Sequence, residues 1–104
     1  MTGIFDRIMG REEDVFDPVG YRYVKAIPLK NYDDIDIIKA EIRAGNIVIS
    51  NVSQLAKKNI DEVKRGINEL NEYAQLLEGD IARLGEERII LTPKNVKIWR
   101  NPPD

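Results

Sequence analysis

Apolar positions recur along the chain at two periods, about 3.6 and 2, and the switches between them mark the elements. "NYDDIDIIKAEIRAG" (31–45) places Ile35, Ile38 and Ile42 on one helical stripe. Asn31 suits its N-cap; Asp33, Asp34 and Asp36 suit the positive end of the helix dipole, and Lys39 and Arg43 the negative end. Gly45 is the expected stop. "NIDEVKRGINELNEYAQLLEG" (59–79) reads as the longest helix, with Asn59 and Glu62 spaced as a capping box. Its stripe of Ile60, Val63, Ile67, Leu70, Ala74 and Leu77 has the spacing of a coiled-coil seam or of ordinary packing on a sheet. Tyr73 and Leu76 widen that apolar side. Gly66 costs about 1 kcal/mol in mid-helix, which points to a close helix contact, within the chain or across a dimer. In the second case Gly66, Ile67, Leu70 and Tyr73 would meet the partner copy.

The remaining runs read as strands. "YRYVKAIPL" alternates weakly and ends at Pro28, as a strand entering from an edge would. "NIVISNV" is a continuous apolar, β-branched run, the mark of a central strand parallel to the first through the intervening helix. Asp80–Leu84 and Arg88–Thr92 pair around Gly85, Glu86 and Glu87, and "NVKIWR" (95–100) supplies a last strand. The order β-α-β-α-β-β-β predicts an α/β two-layer sandwich, two helices on a five-stranded mixed sheet. This compact domain spans 21–104.

Two segments precede it. In 1–11, Ile4, Phe5, Ile8 and Met9 share one side of a helix, with Arg7 and Arg11 supplying positive charge. About ten residues are too few for a helix stable alone in water, so a surface must order it: a bilayer, or a partner. Residues 12–20, with three adjacent acids and then Pro18 and Gly20, form an acidic linker.

Composition narrows the function. The chain has 104 residues, no cysteine and no histidine. Thiolate catalysis, disulfides and Cys-based zinc sites are excluded, and with histidine go the commonest general base and metal ligand. The net charge of −2 lacks the basic stripe that nucleic acid requires. No phosphate loop or dinucleotide fingerprint occurs, and Ser50 and Ser53 have no histidine partner. The chain therefore reads as a non-enzymatic binding or scaffolding protein that uses no cofactor or metal.

Several short motifs then carry a resemblance: Pro28, "YDD" (32–34), "IVISN" (47–51), "GDI" (79–81), "LGE" (84–86) and "TPKNV" (92–96). In this order and spacing, from about Val24 to Ile98, the chain resembles the SepF family of cell-division proteins. "GIFDRIMG" (3–10) is similar to the family's membrane-targeting segment. The resemblance implies a homodimeric α/β sandwich in the cytoplasm. It would sit peripherally on the inner face of the membrane at the division site, anchoring FtsZ through that protein's C-terminal tail. A basic residue before the hairpin turn and a bulky apolar residue after it contribute to the family's tail pocket, and these match Arg83 and Ile89. Membrane contact would fall to Ile4, Phe5, Ile8 and Met9. Two departures stand out. Glu78-Gly79 replaces a frequent Gly-Gly used in self-assembly, and Ile89 replaces a frequent aromatic residue. The other reading left open is a soluble dimeric α/β domain that binds a small regulatory ligand.

Overall fold

The computed structural model describes residues 21–100. The elements, in chain order, are β1 (Val24–Ala26), α1 (Asp34–Arg43), β2 (Ile47–Asn51), α2 (Ser53–Lys58), α3 (Ile60–Leu76), β3 (Asp80–Leu84) and β4 (Arg88–Thr92). The strands form one sheet in the order β1-β2-β4-β3. β2 lies parallel to β1, as its apolar run predicts, while β4 is antiparallel to both β2 and β3.

This topology determines where the helices go. β1 to β2 is a parallel crossover, and so is β2 to β3, which skips over β4. Both step across the sheet in the same direction, and both must be right-handed. The helices they carry therefore land on one face. On that face Val48 and Ser50 of β2 register with Leu91 and Ile89 of β4, which in turn register with Ile81 and Arg83 of β3. Ile35, Ile38 and Ile42 of α1, Leu55 of α2, and Val63 and Leu70 of α3 close over it as a single buried core. Burying a side chain such as Leu70 contributes about 1.5–3 kcal/mol. The other face presents Val24, Ala26, Ile47, Ile49, Ala82, Leu84 and Ile90, and Val24 and Leu84 are exposed.

Four expectations are corrected. The sheet has four strands among the described residues, because 95–100 does not join the ladder. A turn at Pro93–Val96, with Asn95 at φ 70°, redirects the chain. Side chains then hold it beside β3: Asp80 accepts from the Ile98 N–H at 2.9 Å and from Arg100 at 3.1 Å. Those donors, Arg100 first, keep the Asp80 carboxyl below its ordinary pKa. Second, there are three helices among the described residues, since Asn51 accepts from the Ser53 N–H and hydroxyl and starts α2. Third, Asn31 does not cap α1 with its side chain. Asp34 instead reaches back to the N–H groups of Lys30 and Asn31, at 2.9 and 3.1 Å. Asn59 does cap α3, accepting from Asp61 and Glu62. The return half of the capping box has no donor, because the Asn59 N–H closes α2 on Leu55.

Fourth, the buried stripe of α3 is Val63, Gly66, Leu70 and Ala74. A straight helix drifts from the 3.5-residue seam. Ile60 is therefore exposed, while Ile67 and Leu77 are half-buried against the core. Gly66 answers its own cost within the chain. A Cβ there would lie 2.8 Å from Ile35 Cδ1 and 3.6 Å from the Tyr32 ring. Tyr32, from "YDD", lies under the Arg65 guanidinium at 4.7 Å and donates its hydroxyl to Glu69. Gly66 and Leu70 thus face the protomer's own core and offer no surface to a partner copy.

The turn from α3 into β3 is the tightest point. Glu78 has φ 63°, a left-handed conformation that glycine adopts at far lower cost. At Gly79 a Cβ would stand 2.1 Å from the Thr92 carbonyl oxygen. Neighbouring substitutions should therefore act oppositely in thermal melts. Glu78→Gly should stabilise by up to about 1 kcal/mol, and Gly79→Ala should destabilise by about 2 kcal/mol or more. Equal melting of the two variants would contradict this geometry.

Candidate functional site

Arg83 and Ile89 are direct cross-strand partners in the β3–β4 ladder. Opposed residues project to the same face, and here it is the helix-bearing one. β3 is an edge strand, and a gap opens between it and α3. The gap is a groove of about 320 Å³. Ile67, Asn68 and Asn71 of α3 form one wall, and Ile81, Arg83 and Ile89 form the floor and the other wall. Its volume lies at the lower end of the range for ligand sites.

The two sequence-assigned residues play unequal parts. Arg83 is exposed, and its Nε donates to the Gly85 carbonyl at 2.8 Å, which folds the side chain back over the hairpin. No carboxylate pairs with it among the described residues. Its guanidinium therefore brings uncompensated positive charge to the end of an apolar groove. Ile89 is only 6% exposed and belongs to the core, so it offers the groove one small patch. Ile67 and Ile81, both half-buried, supply most of the remaining apolar lining. The sequence reading placed Ile67 in the apolar stripe of the long helix and among the dimer candidates, and did not single out Ile81. Strand alternation puts Ile81 on the same face as Arg83, two residues back on β3.

Asn68 and Asn71 were also missed. Both are exposed, and neither side chain makes a hydrogen bond among the described residues. Each amide has donors and an acceptor free for a ligand's main chain. The wall that carries them is braced on its far side. Lys39 of α1 forms an ion pair with Glu69 and lies 5.2 Å from the Tyr73 ring. The Lys39 ammonium, followed by the Tyr32 hydroxyl, holds the Glu69 carboxyl below its ordinary pKa. Tyr73 therefore belongs to this brace, where its hydroxyl accepts from Arg43 at 2.8 Å. Among the described residues no cluster of acidic side chains could hold a metal ion, and no helix is long and apolar enough to cross a membrane. The membrane-assigned Ile4, Phe5, Ile8 and Met9, and the acidic linker, lie outside the described residues.

These features define a small one-sided α/β binding domain with a peptide-sized groove between its longest helix and an edge strand. The profile of the cell division protein SepF matches residues 24–98, and the chain belongs to the SepF family of cell-division proteins. The cell division protein SepF of Haloferax volcanii is 28% identical over 67 residues, 64% of this chain. That match spans only 56% of the length of the Haloferax protein. A SepF-like protein from Archaeoglobus fulgidus superposes with a TM-score of 0.71 at 30% identity, covering 79% of this chain and 98% of its own. One from Pyrococcus furiosus gives 0.68 at 28% identity, covering 82% and 100%. The SepF of Methanobrevibacter smithii, solved in complex with FtsZ-CTD, shares the fold with a TM-score of 0.66 at 22% identity, covering 78% and 100%.

The unequal burial of the two assigned residues has a measurable consequence. Ile89→Ala should cost about 2–4 kcal/mol of stability, as core truncations do. Arg83→Ala should leave denaturant unfolding within about 0.5 kcal/mol of the parent. Similar losses in both variants would contradict the assignment of Ile89 to the core.

Proposed function

We propose that the chain is a non-enzymatic adaptor that holds FtsZ at the membrane by binding its C-terminal tail. The observation that carries this reading is the Arg83–Ile89 pairing, which opens an uncompensated cation and an apolar floor onto one groove. A short tail with an apolar side chain and an acidic group fits both features. The free amides of Asn68 and Asn71 suit its main chain. The complex known for the Methanobrevibacter protein supports the same choice of partner.

The adaptor works as a homodimer through the sheet face that carries no helix. Val24, Ile47, Ile49, Leu84 and Ile90 give that face an apolar character rarely left open on a monomer. This reading prefers it to the α3 surface that the sequence left open as one alternative, since Gly66 and Leu70 are buried in the protomer. The segment 1–11 lies in the membrane interface through Ile4, Phe5, Ile8 and Met9. Two such weak anchors in one dimer raise avidity through effective concentration. The working location is the cytoplasmic face of the membrane at the division site.

Titration with an FtsZ tail peptide should show Arg83→Glu binding roughly tenfold or more weaker than the parent, the cost of losing a hydrogen bond to a charged group. Unchanged affinity would place the tail elsewhere. In liposome flotation Phe5→Asp should remain with the soluble fraction while the parent floats; equal flotation would remove the anchor. Sedimentation should find Ile90→Asp monomeric at concentrations where the parent and Ile60→Asp are dimeric, and a dimeric Ile90→Asp would reject the bare face as the interface.

A further inference from the structure

A second cavity, of about 180 Å³, opens at the other end of the sheet. Its polar rim is Arg22, Arg43 and Lys94, and its apolar lining includes Ile42, Leu77 and Pro93. Three cations around one cavity are unexpected in a chain whose acids outnumber its bases, 18 to 16. The α1 dipole accounts for Arg43, which sits in the last turn of that helix. It does not account for Arg22, just before β1, or Lys94, in the turn after β4.

Their partners among the described residues leave charge to spare. Arg22 donates to the Lys94 carbonyl at a long 3.4 Å, and Arg43 to the Tyr73 hydroxyl at 2.8 Å. Both acceptors are neutral. Neither guanidinium meets a carboxylate among the described residues. Lys94 reaches Glu78 at 3.6 Å, but both ends are more than 60% exposed, so the pair neutralises little. The mouth is also sterically open, since nothing lies within 4 Å of a Cβ position at Gly45.

We infer that this cavity binds a phosphate group. Two arginines can offer it paired N–H donors, and the lysine adds a point charge. Position within the fold bears on the source. The start of β1, the start of β2, and the ends of α1, α3 and β4 all meet here, so this is the pole where the chain arrives from residue 20. The tail groove lies toward the hairpin, about 13 Å further along β4 as counted from Pro93 to Ile89. An anchor preceding residue 21 therefore joins the domain at the basic pole, with the groove further along the sheet. The phosphate of an anionic lipid headgroup then sits in the cavity and fixes the domain's orientation. Only this choice of source rests on the adaptor reading; the cavity and its charge do not.

The test uses the full chain, the double variant Arg22→Gln/Arg43→Gln and the single variant Lys94→Gln. Inorganic phosphate should shift the Gly45 amide resonance in the parent and not in the double variant. On vesicles containing phosphatidylglycerol the double variant should partition roughly thirtyfold less, and Lys94→Gln about fivefold less, the usual effects of removing two cations and one from an anionic surface. On pure phosphatidylcholine all three proteins should partition equally. A phosphate shift without a vesicle effect supports the site and assigns it to a free phosphate. No phosphate shift overturns the proposal, whatever the vesicles show, because the charge would then act only as a diffuse patch. An equal loss on both vesicle types overturns it too, as damage to folding or to the anchor. Tail-peptide affinity should be the same in the parent and in Lys94→Gln, which touches neither the groove nor its brace, so the failure of either idea is visible separately.

Discussion

The handedness of two crossovers governs this fold. β1 to β2 and β2 to β3 run the same way across the sheet, so a right-handed turn in each puts every described helix on one side. One face becomes a closed core, and the other carries no helix among the described residues. The second crossover skips β4, which later fills the gap by folding back as a hairpin. That leaves β3 at the edge, with a gap between it and the long helix. The groove, the bare face and the separation of the two poles all follow from this one constraint.

Within that frame the most demanding junction is the passage from α3 into β3. Gly79 brings its backbone against the Thr92 carbonyl, and Asp80 then gathers the C-terminal segment through Ile98 and Arg100. Thr92 donates its hydroxyl to the Val96 carbonyl to complete the knot. The motifs "GDI" and "TPKNV" thus meet in space and do structural work. "YDD" does the same at the other end, where Tyr32 packs beside Gly66 and Asp34 organises the start of α1. The residues by which the family is recognised mostly hold the fold, and of them only Ile81 also lines the groove.

This division explains what could be read from the sequence. Strongly periodic segments gave α1, α3, β2 and the hairpin with nearly correct bounds, while Arg83 and Ile89 were reached through the family resemblance and their shared face through the strand register. Elements decided by side chains reaching across the fold were not legible. The short α2 depends on Asn51 bonding to Ser53, and 95–100 leaves the ladder because Asp80 takes the Ile98 N–H. Asn68 and Asn71 carry no local signal at all, since their role depends on which side of α3 overlooks β3. Gly66 was ambiguous for the same reason: its spacing shows that something approaches closely, and only the packed structure shows that it is Ile35.

The proposed adaptor role uses this segregation of surfaces. In that reading one pole receives the chain from the membrane segment, the sheet face opposite the described helices meets a second copy, and the helix–edge groove takes the tail. The central claim is that the tail enters that groove. The most direct measurement is a map of amide chemical-shift changes in the full chain as FtsZ tail peptide is added. The largest changes are predicted at Ile67, Asn71, Ile81 and Arg83, with little at Ile49 or Gly45. Largest changes centred on Ile49 and Ile90, with Arg83 unmoved, would contradict it.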